Sequence, residues 1–466
     1  MPKSQRRARR LAMDITPLRF NYLNLDPLTH TPLPSELMSK VFWWAFWSFE
    51  EEPHEYQNKR TIAMLVDTKW KTLIVDDPTL WRYIFIDHYS QTSTIENTIN
   101  LAGSMELHIF IDLLDRRTIS HPFRTHEAVA AFISTTVDTI VPFLHRCFRF
   151  TIQSQTHSST VVLLHQLGPL QCPRLEDLVL DISPTSDLTQ DVPELPMPFG
   201  GTTPLLRTFH LTSSFFLYPT PGTYDGITEL RLNRIPSTVQ LEWKDIREAL
   251  EAFHSLTHLH LLRFECHQAE HPRTWINSVD CTLPTVTHLN VVAIHSSTAK
   301  MMVAMDMPSL RVLAFDACGG PYGYYLDDFT GRHFRFVEKT ALAIDVLDVQ
   351  AMLLTLKAFP RLQELDVRGC NESFVDLLRE AAIQSSGCCP NLIRIHIGMA
   401  LETRNLRDFL IGRRRSVFHP RCVLTAPVAD DEDGEDGLPR HEHYVDAGKL
   451  VHRPASVAQL FPVVRG

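Results

Sequence analysis

No Cys-x-x-Cys pair occurs in the 466 residues, and the nine cysteines are odd in number and scattered, at 147, 172, 266, 281, 318, 370, 388, 389 and 422. This pattern argues against a zinc ribbon and a disulfide framework; the adjacent Cys388 and Cys389 read as buried turn cysteines. A reducing compartment, cytoplasmic and/or nuclear, is the expectation. Long apolar runs are missing as well: residues 41–47 are seven unbroken apolar positions between Lys40 and Glu50 with an intervening Ser48 and Phe49, where a membrane span needs about 20. The start, MPKSQRRARRLAMDI, is basic but lacks the apolar stretch of a secretory signal, so export is not expected; RRARR reads first as a solvated basic terminus and second as a nuclear signal. There is no excess of positive charge. Lys and Arg number 45 against 54 Asp and Glu, a formal charge of −9, which disfavours a chain-wide nucleic-acid surface. Motifs of catalysis are also lacking: no Walker loop, GxGxxG, HExxH, GxSxG or DxDxDG is present, so no catalytic residue and no cofactor is assigned. The 23 histidines include HEHYVD and HSLTHLHLL, but neither brings a matching cysteine or carboxylate set, and no metal site is assigned.

What is present is enough apolar material for a large core, 44% hydrophobic against 21% charged residues. Six aromatic rings crowd into residues 42–49, FWWAFWSF. Pro34 and Glu36 signal a helix start, from which Leu37, Val41 and Ala45 recur beside Met38, Phe42 and Phe46 as a broad apolar stripe. A second helix is expected across Ile62, Leu65, Val66, Trp70, Leu73 and Ile74, ended by Pro78, after a polar inter-helix loop EEEPHEYQNKR. Two short helices with this much apolar surface form a bundle that cannot hide all of it, so a docking face is expected beside a core function for the rings.

Leu33-Pro34, Glu36-Leu37, Val41-Phe42 and Ala45, then Leu65-Val66, Trp70 and Leu73, and finally Pro78, Leu80 and Trp81, resemble the F-box in its fungal version, over about 50 residues from 33 to 81. Asp67 and Thr68 depart from the family's usual Cys and Arg. The resemblance implies that Leu33, Pro34, Leu37, Val41, Phe42, Val66 and Trp70 meet a small Skp-type adaptor, which joins a cullin ubiquitin-ligase scaffold, while Leu80 and Trp81 close the bundle. On that reading Phe42 faces the adaptor and the remaining rings are buried.

Downstream, the unit Pro-x-Leu-x-x-Leu-x-Leu recurs in degenerate form, its first apolar position falling at 175, 206, 227, 256, 286, 310, 362 and 392. The gap after 310 leaves room for a degraded unit near LAIDVLDV, residues 342–349. Each unit ends in strand alternation, and helical patterns lie between, at 238–253, 349–359 and 371–384, the last with Asn371 as a cap. Residues 91–160 read as a divergent first unit of strand, long helix and strand. A strand followed by a helix every 25 to 30 residues is the plan of a leucine-rich-repeat solenoid; a helix-backed open sheet of another kind is the alternative, because the usual turn Asn or Cys is mostly missing, although Cys318 and Cys370 sit near it. The expected fold is therefore α/β: a small helical F-box bundle followed by an irregular leucine-rich-repeat-like solenoid of alternating strands and helices. The expected division is a basic terminus at 1–30, the F-box at 31–90, the repeat domain at 91–425, and an acidic loop and tail at 426–466, with residues 429–448 as a linker.

Outward positions of the repeat strands give Val179, His210, Arg231, His260, Asn290, Ala314, Asp366 and His396, preceded by Asp177, Thr208, Glu229, His258, His288, Val312, Glu364 and Arg394. Arg231, His258, His260 and His288 are the candidate substrate-binding residues, suited to an acidic or phosphorylated segment. The functional expectation is a non-catalytic substrate receptor of an SCF-type cullin ubiquitin ligase, binding the adaptor through the F-box and a protein target through the repeats. The alternative is a structural interaction solenoid whose bundle is only an N-terminal cap.

Overall fold

The computed structural model describes residues 34–46, 53–113, 126–154, 157–182, 198–201, 203–212, 225–233, 243–263, 281–292, 304–316, 334–343, 356–367, 391–397, 423–427, 441–446 and 449–454. It is a mixed α/β chain with several helices and a long series of parallel strands. It divides into two units, 1–181 with 196–205, and 182–195 with 206–466. That division does not coincide with a module border at residue 90: the helical bundle and the first strands belong to one unit.

In the first unit, α1 (Ser35–Phe46) is followed by α2 (Pro53–Val66) and α3 (Thr68–Asp76). The second helix thus begins inside the stretch read as a polar loop, with Pro53 in the first turn, where its missing N–H costs nothing. The continuous helix expected through Trp70 is broken at Asp67. That residue is extended (φ −147°, ψ 142°), and its carboxylate accepts from Lys69 N at 2.9 Å, so it caps a new helix. Asp67 is exposed rather than buried unpaired. Asp77 then caps the 3-10 turn Pro78–Trp81, accepting from Thr79 N at 3.0 Å. Four strands follow in the order β1 (Tyr83–Asp87), β2 (Leu107–Leu113), β3 (Cys147–Ser154) and β4 (Asp177–Ile182); β1–β2 and β2–β3 pair in parallel. Their connections carry α4 (Thr92–Leu101), α5 (His126–Ile140) and α6 (His157–Leu167). Residues 127–146 are long and apolar enough to cross a membrane by composition, yet Ile133, Val137, Ile140 and Leu144 are buried in this unit, as in a core helix. Near the end of the unit, Gly200 has φ +55°, and a Cβ there would meet Gly168 O at 2.9 Å, so the turn that seats Phe199 against Phe150 needs glycine.

The second unit is a run of parallel strands: β5 (Thr208–Thr212), β6 (Glu229–Asn233), β7 (His258–Leu262), β9 (His288–Val292), β11 (Val312–Asp316), β12 (Lys339–Ala343), β13 (Glu364–Val367), β14 (Arg394–Ile397) and β15 (Val423–Pro427), hydrogen-bonded in that order. The two-residue strands β8 (Cys281–Thr282) and β10 (Met305–Asp306) pair separately. From β5 to β14 the strand starts fall at 208, 229, 258, 288, 312, 339, 364 and 394, so successive starts are 21 to 30 residues apart. The degraded unit exists, but its strand is Lys339–Ala343, overlapping only the first residues of LAIDVLDV. Of the expected intervening helices, α7 (Trp243–Glu251) is present; 371–384 and most of 349–359 lie outside the described residues, as do Cys318 and Cys370.

A recurring local structure explains the repeat. The N–H groups of Leu256, Val286, Leu310, Val337 and Leu362 each donate to the carbonyl three residues back, on Phe253, Leu283, Met307, Phe334 and Phe359. All ten side chains of these β-turns are buried, and proline, which presets the turn, stands second in three of them, at 284, 308 and 360. Just after each turn, one carbonyl accepts two N–H groups of the next unit: Thr228 O takes Thr257 N and His258 N at 2.9 Å each, and Thr257 O takes Thr287 N and His288 N at 2.9 and 3.0 Å. The same arrangement recurs at Arg207, Thr287, Arg311, Glu338 and Gln363. The acidic run 430–436 lies outside the described residues, but the stretch read as a linker also holds β16 (His441–Asp446). This strand pairs antiparallel with β15 and with β17 (Lys449–Pro454).

Candidate functional site

Two surfaces carry the sequence candidates. On the bundle, Leu37, Val41 and Trp44 recur at helical spacing along α1 and are exposed, Trp44 by 55%; Leu65 and Val66, at the end of α2, are exposed by 71% and 58%. Because Asp67 ends α2 where it does, these two side chains are left at a helix terminus instead of inside a continuous helix. Pro34 is exposed and Leu33 lies outside the described residues. Phe42 does not face outward: it is only 3% exposed, stacked on Phe46 at 5.6 Å and edge-on to Trp70 at 5.2 Å. The expected division of the rings is therefore corrected. Phe42 and Phe46 are core, half-buried Trp70 packs on Phe42, and among the described rings of the run Trp44 is the one turned to solvent, set edge-on against Trp43 at 5.4 Å.

The bundle is closed from the supposed loop. Tyr56 Oη and Arg60 Nη1 both donate to Leu80 O, at 3.0 and 2.9 Å, and the Arg60 guanidinium lies 4.0 Å from the Trp81 ring centroid. Trp81 Nε1 donates to Ile74 O at 2.6 Å. Burial lowers the Arg60 pKa to about 10 and pushes the Tyr56 phenol above its ordinary range. A cation held this way is stabilised by one carbonyl and aromatic faces. The sequence signal was the spacing of Tyr56 and Arg60, one helical turn apart after Pro53.

The second surface is the outward face of β6, β7 and β9. Their register sets Glu229 beside His258 and His258 beside His288, and sets Arg231 beside His260 and His260 beside Asn290. All four substrate candidates are thus brought together on three neighbouring strands. The His258 and His288 rings stack at 4.2 Å with 14° between planes. Each Nδ1 lies 2.9 Å from the hydroxyl of the preceding threonine, and each hydroxyl also reaches a main-chain carbonyl, Thr257 to Thr228 O at 3.0 Å and Thr287 to Thr257 O at 3.2 Å. Each hydroxyl therefore bridges an imidazole and a carbonyl of the preceding unit, which ties the ring to the main chain. His260 reaches the neighbouring strands on both sides: its Nδ1 lies 3.3 Å from Asn290 Nδ2, and its Nε2 lies 3.4 Å from Glu229 Oε1.

The charge of this patch differs from the expectation of a positive surface. Glu229 also takes Arg231 at 2.6 Å; the His260 hydrogen bond first, and then Arg231 against the opposing effect of burial, hold its pKa down to about 2. Burial lowers the pKa of both His258 and His288. Glu229 and Arg231 thus offset one another, and burial disfavours the charged forms of the His258 and His288 imidazoles, so the patch is less positive than its residue types suggest. Glu229 stood in the sequence two residues before Arg231, on the same face, and that was the signal. The threonines were legible too, as the triplet Thr-His-Leu repeated at 257 and 287.

Among the described residues no three of His, Cys, Asp and Glu converge as a metal site. Cys147, Cys172 and Cys281 are buried thiols. No family model matches the chain, and no curated protein matches it. A solved structure described as a complex of Rad7 and Elc1 in yeast is similar at 13% identity and a TM-score of 0.29, over 79% of this chain and 94% of that one; similarity at that level does not bear on function.

Proposed function

We propose that the chain is a non-catalytic substrate receptor of the F-box kind, working in the cytoplasm and/or nucleus. The α1–α2 face binds a Skp-type adaptor that joins a cullin scaffold, and the strand face of the second unit binds a protein target. The observation that carries this reading is the exposure of Leu37, Val41, Trp44, Leu65 and Val66 on one small bundle whose core is already filled by Phe42, Phe46, Ile74 and Leu80. Exposed apolar side chains at this density are the mark of an association surface. The target half rests on the polar strand face, where Arg231, His258, His260 and His288 supply directional hydrogen-bonding groups, the Arg231 charge being offset by Glu229.

One observation favours the cap reading: Tyr56 and Arg60 tie α2 to Leu80, and Tyr56 meets Tyr83 of β1 at 5.0 Å, within one unit. Capping elements of repeat proteins, however, turn a polar face outward, and this bundle turns an apolar one. Affinity purification of the full chain with identification of bound proteins decides between them. Co-recovery of a Skp-type adaptor with a cullin is the expected outcome; stable recovery of neither, from a folded chain, overturns the receptor in favour of the cap.

A further inference from the structure

Among the described residues of the second unit, a cluster of positive charge stands at the turns, around one phenylalanine. Arg311 ends the turn before β11, Arg335 and Phe336 sit in the turn before β12, and Arg361 in the turn before β13. Their guanidinium carbons lie 5.4, 4.6 and 4.9 Å from the centroid of the Phe336 ring. Three successive units thus contribute one cation each to a single ring, and all three charges fall within about a Debye length, roughly 8 to 10 Å, of one another.

These cations are poorly neutralised. Arg311 donates to Phe336 O at 3.2 Å and stands 3.8 Å from the Glu338 carboxylate. Arg335 and Arg361, both exposed, have no carboxylate partner among the described residues. The strand face behaves differently: Lys339 and Arg394 both pair with Glu364, at 3.0 and 2.7 Å, and Arg231 pairs with Glu229. Guanidinium groups do not shed their protons in a protein, so the cluster carries its mutual repulsion in the free chain, and an anionic partner would relieve it.

We propose that this rim, Arg311, Arg335 and Arg361 around Phe336, is a docking site for an acidic polypeptide segment of the protein that the second unit binds. Carboxylates spread along a segment suit the geometry. The three guanidiniums belong to three successive turns and share one ring, so they offer three forks to carboxylates spaced along a segment. A nucleic-acid partner is disfavoured by the chain's net charge of −9. The site deepens the target-binding half of the proposed function and is independent of the adaptor half.

The test uses the full chain and a fluorescently labelled polyglutamate peptide, with binding read by anisotropy. Expected are binding that weakens as salt rises, a loss of about tenfold or more in Arg335→Glu with Arg361→Glu, and no change in Arg174→Glu, an exposed arginine of the first unit. Glu338→Gln, which removes the carboxylate beside Arg311, is expected to tighten binding a few-fold, a gain that misfolding cannot mimic. If the double charge reversal fails to fold by circular dichroism, Arg335→Gln with Arg361→Gln replaces it, with a loss of several-fold expected. The proposal is overturned if the wild type does not bind the peptide, if the folded charge variants bind as wild type, or if Glu338→Gln weakens binding. It is also overturned if a single-stranded RNA of equal charge, or inorganic phosphate at equal ionic strength, outcompetes the peptide. A chain that binds only after deletion of residues 430–436 assigns the rim to the protein's own acidic run and overturns the external target. Adaptor capture in the same samples separates failure of this site from failure of the receptor reading.

Discussion

The α1–α2 face and the β6–β9 face solve opposite problems. The first leaves apolar side chains in water and takes polar ones inside: Arg60 and Tyr56 are buried while Trp44, Leu65 and Val66 are not. The second hides every leucine of its strands and turns outward a set of titratable groups that satisfy one another. An apolar face gains free energy from burial with any partner of matching shape, roughly 25 cal/mol per Å². A self-satisfied polar face gains little from generic contact, because each internal hydrogen bond must be exchanged for one as good. The first arrangement suits a constant partner and the second a selective one.

The sharpest way to break the contrast is within α1 itself. Phe42→Ala should cost about 3 to 5 kcal/mol, since it empties a core position between Phe46 and Trp70, whereas Trp44→Ala should change stability by no more than about 0.5 kcal/mol. Thermal melts of the two variants check this; equal losses would mean that Trp44 is packed. Next, Leu37→Asp with Val66→Asp should leave the melt nearly unchanged and reduce adaptor binding about a hundredfold or more. Undiminished pull-down of the adaptor by this folded variant would remove the docking face from these helices.

On the strand face the effects are smaller. Glu229→Gln should cost about 1 kcal/mol, leaving Arg231 and His260 short of their shared acceptor, measurable by the denaturant midpoint. Acid should act in the same direction. His258 and His288 have folded pKa values below the ordinary 6.5, so the unfolded chain takes up protons first as pH falls. Their contribution is intact above about 6.5 and is lost as pH drops from there through the depressed folded values. Glu229 adds a second loss from its ordinary 4.5 down to about 2. Replacing both histidines by asparagine should flatten the stability profile between pH 6.5 and 5, and an unchanged slope would exclude them as its source. The smallest effect is assigned to Thr257→Val with Thr287→Val, about 0.5 to 1 kcal/mol. NMR of the imidazole nitrogens should then show both ring environments shifted, since each Nδ1 loses its hydroxyl partner.

Much of the second unit was legible in the sequence because its strand pattern is bound to a turn. A buried residue, proline or a substitute, and a buried leucine or valine fix where each strand begins, so outward positions assigned from spacing fall side by side in register at Glu229, His258 and His288. The unit at Lys339 was displaced because Arg335 replaces proline and alternates with Phe334 and Phe336, masking the turn. In the bundle, Phe42 and Trp44 were not separable by periodicity: both belong to stripes of correct spacing, and packing by Trp70 and Tyr56 decides which stripe is covered. Charge was the least legible property, since the patch at Arg231 is neutralised by a residue on its own strand, while the cations at Phe336 come from three turns more than 20 residues apart.

Seven main-chain oxygens, on Arg207, Thr228, Thr257, Thr287, Arg311, Glu338 and Gln363, each hold two N–H groups of the following unit. Mechanically, these are identical couplings placed in series. Tension applied along the stack meets one two-pronged link after another, and a link that opens frees its immediate neighbour without slackening the rest. Insertions of several residues between couplings, seen in spacings from 21 to 30, leave the pitch of the couplings untouched. The polypeptide can therefore lengthen or shorten its connecting arcs during descent while the row of outward side chains keeps its gauge.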